Sequence, residues 1–124
     1  MVAYASGMID GTSRIPELDL ARIREYCEGR IPARVTHLVR LELDINGGSV
    51  TILECRPPWS PDMGPEWTRF PIARLRFTAS RGRWTLYWRD RNQAFHRYTR
   101  MGLSPNVGVL LAEIEADPAG IFWG

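Results

Sequence analysis

His96 and Tyr98 stand two residues apart, and Glu54 stands two before Arg56. A histidine near a phenol, or a carboxylate near a guanidinium, is raw material for proton transfer, so His96, Tyr98 and Glu54 are the candidate catalytic residues. Each also has a plainer reading. A lone histidine among tyrosines more often holds a structural hydrogen bond, because a general base needs a partner that orients it. Alternation carries Glu54 onto an apolar strand face together with Arg56, where an ion pair tying strand to loop satisfies the carboxylate. The chain has no nucleophile elbow, no glycine-rich phosphate loop and no His/Cys/Asp cluster at ligand spacing, so neither a metal nor another cofactor is expected. On these grounds the reading leans away from an enzyme.

A second chemistry lies in the arginines. All 16 basic residues are arginine, and nine of them (69, 74, 76, 81, 83, 89, 91, 97 and 100) fall between Arg69 and Arg100 against the single acid Asp90, a formal +8. The rest of the chain holds seven arginines and thirteen acids, a formal −6, so a protein of net charge +2 is strongly polarised. Guanidinium groups are planar donors suited to carboxylates and phosphates, and interleaved tyrosines can stack on bases. Arg74, Arg76, Arg83, Tyr87, Arg89, His96 and Tyr98 are therefore the expected ligand-binding set, with nucleic acid first and an acidic protein surface second as partner. The competing reading is a solvated sheet face whose charge is neutralised in space by Glu42, Asp44 or the helices.

These residues need a scaffold. At 124 residues, with 44% hydrophobic and 24% charged side chains, the chain matches one soluble globular domain. Residues 1–15 read as a flexible tail and 16–124 as a single domain. No apolar run is long enough to span a bilayer, and the N-terminus lacks a signal-peptide pattern, so a cytoplasmic location without membrane contact is expected. Cys27 and Cys55 read as buried free thiols.

From Pro16 the spacing of Leu20, Ile23 and Cys27 predicts a helix that Gly29 and Pro32 end. Val35 to Ile45 alternates as a strand, Asn46-Gly47-Gly48 signals a hairpin, and Ser49 to Arg56 returns. Pro57 to Pro65 is too proline-rich to pair and reads as a loop. Three more strands follow as a meander, Phe70–Thr78, Arg83–Arg89 and Ala94–Arg100. Pairing Arg89 with Ala94 places Ala73, Leu75, Phe77, Trp84, Leu86, Trp88 and Phe95 on the core face, and Arg74, Arg76, Tyr87, His96 and Tyr98 on the other. A last helix starts near Ser104-Pro105 and ends at Asp117-Pro118. The fold class is α+β: helix, five-stranded twisted antiparallel sheet, helix, with the sheet either open or curled towards a barrel.

Trp59, Trp67 and Trp123 sit in the loop or the tail, where aromatic residues either cap a small core or contact a protein partner, a second copy of the chain included.

Glu54-x-Arg56-Pro57-x-Trp59, Trp84-x-x-Tyr87-Trp88-Arg89 with His96-x-Tyr98, and Asp117-Pro118-x-Gly120-x-Phe122-Trp123-Gly124 resemble a family of small bacterial proteins, domain of unknown function 3024. The resemblance spans about Pro16 to Gly124. Phe95 stands where the family often has tryptophan, and a lysine is common near Arg74. The resemblance implies a small intracellular bacterial domain and carries no activity.

Overall fold

A computed structural model describes residues 15–124. The expected tail thus lies outside the described residues except for Ile15, which is 4% exposed and belongs to the core. Helix α1 (Glu17–Arg30) opens without a side-chain cap, but Glu17 and Asp19 in its first turn and Arg30 in its last complement the helix dipole. Only Ile23 and Cys27 are fully buried, as the narrow apolar stripe requires of a helix lying on a sheet.

Five strands follow: β1 (Arg40–Asn46), β2 (Ser49–Arg56), β3 (Thr68–Thr78), β4 (Arg83–Arg89) and β5 (Phe95–Arg97). They pair antiparallel in the order β1-β2-β3-β4-β5, an open meander and not a barrel. Helix α2 (Val107–Ala116) closes the element list.

The β1–β2 hairpin forms where Asn46-Gly47-Gly48 signalled it; Asn46 pairs with Ser49, leaving a two-residue loop with Gly47 at φ +60° in the first central position, as a II′ turn requires. At Gly48 a Cβ would lie 2.8 Å from the carbonyl oxygen of Phe77, so only glycine fits beside β3.

The strands β3 (from Thr68) and β5 (Phe95–Arg97) differ in their bounds from the sequence reading, and the starts of β1 and α2 differ more. Val35 to Val39 is not strand: Pro32 leads into a 3-10 turn, Ala33–Val35, whose Val35 carbonyl accepts from both Leu38 and Val39. The alternation there is coincidental, and Leu38 is exposed. Helix α2 starts later than Ser104, because Asn106 is the residue whose side chain accepts from the Gly108 amide. Ser104 instead bonds the Asn106 amide and bridges to Trp84 across the sheet edge.

The register aligns Ile45, Val50, Leu75 and Leu86 in one row across the sheet, and Leu43, Ile52, Ala73 and Trp88 in the next. Ile23 and Cys27 of α1, with Val107, Leu110, Leu111 and Ile114 of α2, complete the core on this side. Three polar contacts tie the elements together, two of them part-buried and the Tyr26–Glu115 bond between the helices exposed. Trp84 Nε1, on a fully buried side chain, donates to Asp19 Oδ2 at 2.9 Å; Tyr26 donates to Glu115; Tyr98 donates to Glu113.

The end of the chain is folded back by Asp117. This residue has φ +44°, and its carboxylate accepts from the amides of Ile121, Phe122 and Trp123 at 2.8–3.0 Å. Phe122 is thereby sunk against Tyr98, with ring centroids 5.3 Å apart. Burial pushes the Asp117 carboxyl up, but the amide bonds from Phe122, Trp123 and Ile121 outweigh it and hold the group below its ordinary value.

Candidate functional site

Side chains alternate across a strand, so the partner face of the core rows is fixed by the same register. One row runs Asp44, Thr51, Arg74, Tyr87 and Arg97 over all five strands; the next runs Asn46, Ser49, Arg76 and Thr85. In the opposite direction come Glu42 and Leu53, then Arg89 beside Phe95, with Arg40, Cys55 and Arg69 beyond. This face therefore presents seven arginines (40, 69, 74, 76, 83, 89 and 97) and two carboxylates, Glu42 and Asp44. The two helices pack on the opposite side.

The arginines divide into two kinds. Arg40, Arg74 and Arg89 are tied down. The Arg40 guanidinium stacks 3.9 Å above Trp67, with Nε 3.4 Å from Glu42. Arg74 stacks 4.1 Å above Phe95, and its Nε donates to Thr51 Oγ1 at 2.9 Å. Arg89 stacks 3.9 Å above Phe70 and donates to the carbonyls of Pro71 and Asp90. Arg69 pairs with Glu42 at 3.2 Å. By contrast Arg76, Arg83 and Arg97 are exposed and, among the described residues, enter no ion pair. Glu42 thus neutralises one end of the face while the three free guanidinium groups surround Thr85 and Tyr87 at the other.

The structure brings together Arg74, Arg76, Arg83, Tyr87 and Arg89 as expected but places His96 and Tyr98 on the helix side. The β4–β5 connection has three loop residues where four were expected: Asp90 pairs with Ala94, the amide of Asp90 bonding the Ala94 carbonyl at 2.9 Å, and Gln93 takes φ +66°. This is the three-residue hairpin geometry, with a non-glycine residue in the left-handed position. The Asp90 carboxylate stabilises it by accepting from the amides of Asn92 and Ala94. Arg89 therefore pairs with Phe95 and Trp88 with His96, a one-residue slip that turns each β5 side chain over. Phe95 moves out of the core row onto the arginine face, and Arg97, absent from the expected set, joins it.

His96 instead lies 4.9 Å from the Trp88 ring and bonds Asp90 Oδ2 at 2.7 Å. That bond, with the backbone amides behind it, holds the Asp90 carboxyl below its ordinary range. Tyr98 is 2% exposed, and burial together with its bond to Glu113 pushes its phenol up to about 12, which keeps it neutral. Glu54 makes the pair expected of it, 3.5 Å from Arg56 Nε, but it stands on β2, three strand spacings or roughly 14 Å from β5. The three candidate catalytic residues do not form one constellation.

The cysteines are free and buried on opposite sides of the sheet, Cys27 in the helix-side core and Cys55 beside Arg40 and Arg69. Burial pushes the Cys27 thiol up to about 11. Among the described residues no three His, Cys, Asp or Glu side chains converge as metal ligands, and no helix is long and apolar enough to cross a membrane. Trp123 is half-buried beneath Arg30, Trp67 lies half-buried beneath Arg40, and Trp59 is 84% exposed.

The model of one family, Domain of unknown function (DUF3024), matches residues 12–124. The chain belongs to this family. No curated protein and no solved structure matches it. The residues that carry the resemblance to DUF3024 mostly have structural work here: Trp84 straps α1 to the sheet, Trp88 backs His96, and Asp117 folds the tail. The match spans both faces of the sheet, the free arginines around Tyr87 included.

Proposed function

We propose that this domain is a non-enzymatic binding module whose open sheet face takes an anionic partner, nucleic acid first and an acidic protein surface second. The observation that carries the reading is the exposure of Arg76, Arg83 and Arg97 around Thr85 and Tyr87, with no carboxylate paired to any of them among the described residues. Exposed guanidinium groups raise the local concentration of phosphate or carboxylate, and the sheet fixes the backbone from which they reach while their side chains give up rotamer freedom on binding. An enzymatic reading is weaker, because Tyr98 is spent on Glu113 and Glu54 on Arg56.

The test is fluorescence anisotropy with a labelled oligonucleotide and, separately, a labelled acidic peptide. Binding at low salt that is lost when Arg76 and Arg97 are reversed to glutamate supports the module. Unchanged affinity in the reversal variant overturns it. Arg74 is a poor choice for reversal, since its contacts with Thr51 and Phe95 also hold the sheet together.

One observation favours a second surface. Trp59, 84% exposed, and Met63, 60% exposed, stand on the same proline-rich loop, a composition suited to a protein contact. Trp59→Ala should then weaken capture of a protein partner while leaving oligonucleotide binding unchanged.

A further inference from the structure

Resting on that reading, we infer that the partner is the sugar–phosphate backbone of a nucleic-acid duplex, contacted by Arg76, Arg83 and Arg97 without readout of the bases. Three observations lead there. The first concerns stacking. Proteins that hold single strands do so with open aromatic faces on which bases lie. Here the Phe95, Phe70 and Trp67 rings each already carry a guanidinium on one face, from Arg74, Arg89 and Arg40. Tyr87 is left as the ring of this face with no stacked cation among the described residues, and it lies half-buried between Arg74 and Arg97 in its row. A single strand would find little to stack on.

The second is spacing. By strand separation and rise, the Cα atoms of Arg76 and Arg83 lie roughly 8 Å apart, Arg76 and Arg97 roughly 12 Å, and Arg83 and Arg97 roughly 14 Å. The three form a triangle on β3, β4 and β5, not a line. A lone strand follows a line, whereas the phosphates bordering a duplex groove about 6–12 Å wide present themselves across a surface of this width.

The third is the chemistry within and beside the triangle. Thr85 and Tyr87 bring hydroxyls, which bond phosphate or sugar oxygens as readily in one sequence as in another. The face is an open sheet, and among the described residues both α-helices pack on its opposite side, so neither is presented to a groove to reach base edges.

The experiment compares a DNA duplex, its two separate strands and polyglutamate, each titrated with the full chain across a salt series. Duplex binding tighter than either strand, indifferent to sequence, with a log–log salt slope of about −2.7 for three phosphates, is the expected result. Affinity then falls about 40-fold between 50 and 200 mM salt. Arg76→Gln, Arg83→Gln and Arg97→Gln each reduce the slope by about 0.9, and the corresponding lysine variants restore it, which separates a charge contact from a folding defect. Tighter binding to a single strand, or a base-sequence preference, overturns the duplex inference and leaves the anion-binding face intact. Binding to polyglutamate alone does the same in favour of an acidic protein. No binding to any of the three overturns both readings.

Discussion

The two faces of one sheet are built from alternating residues of the same strands, yet they do opposite work. On the helix side Val50, Ile52, Ala73, Leu75, Trp84 and Leu86 are buried almost completely, and polar contacts such as that of Trp84 with Asp19 join separate elements, while Trp123 Nε1 and Arg30 Nε are buried without a hydrogen-bond partner. On the open side the arginines lie along the same strands, and stability is obtained differently: guanidinium groups cover aromatic rings and bond hydroxyl or carbonyl oxygens, so that apolar area is shielded without a second layer. At one end of that face the charges are satisfied by Glu42 and by these stacks, and at the other three are left free. The contrast teaches that an arginine-rich strand face holds two populations, and only contacts distinguish the structural ones from those available to a ligand.

Substitutions should separate the faces by magnitude. Trp84→Ala removes the largest fully buried side chain and leaves Asp19 without its donor, so a loss of about 3–5 kcal/mol in urea unfolding is expected. Asp117→Ala releases three amides and the Phe122 anchor, for an expected loss of about 2–3 kcal/mol. Its pH dependence follows from the depressed carboxyl. The contribution is fully present above the unfolded value near 4 and is lost as pH falls through the lower folded value, so Asp117→Asn should flatten the acid limb of the stability curve.

Arg74→Gln gives up the Thr51 bond and the Phe95 stack and should cost about 1 kcal/mol, more than expected of a surface residue. The combined Arg76→Gln, Arg83→Gln and Arg97→Gln variant should stay within about 0.5 kcal/mol of the parent while its affinity for a polyanion collapses. A large loss of stability in that variant would erase the distinction between tied and free arginines.

Much of this was legible beforehand, for physical reasons that also mark where it stopped. The hairpin at Gly47 and the row pairing Phe77 with Trp84 follow from strict alternation and short turns, and the core rows of β3 and β4 with them. The β4–β5 register did not, because its left-handed residue is Gln93, where glycine would have signalled a three-residue loop. That single slip exchanged His96 for Arg97 on the open face, which changes the chemistry from a histidine and tyrosine cluster to a more basic one. Nor could sequence tell Arg74 from Arg76, since both sit on the same strand face and differ only in having Phe95 and Thr51 nearby. The bulge of β3 at Ile72, where the register to β2 shifts between Ile52 and Leu53, likewise carried no glycine to announce it.

On the function proposed, the helix side serves stability and the free-arginine end of the open side serves binding. Amide chemical-shift mapping by NMR, with a short DNA duplex titrated into labelled protein, tests this division most directly. Shifts are expected only at the amides around Arg76, Arg83 to Tyr87 and Arg97, with α1 and α2 unmoved. Shifts centred on the helices or on the Trp59 loop, or none at all at low salt, would contradict it.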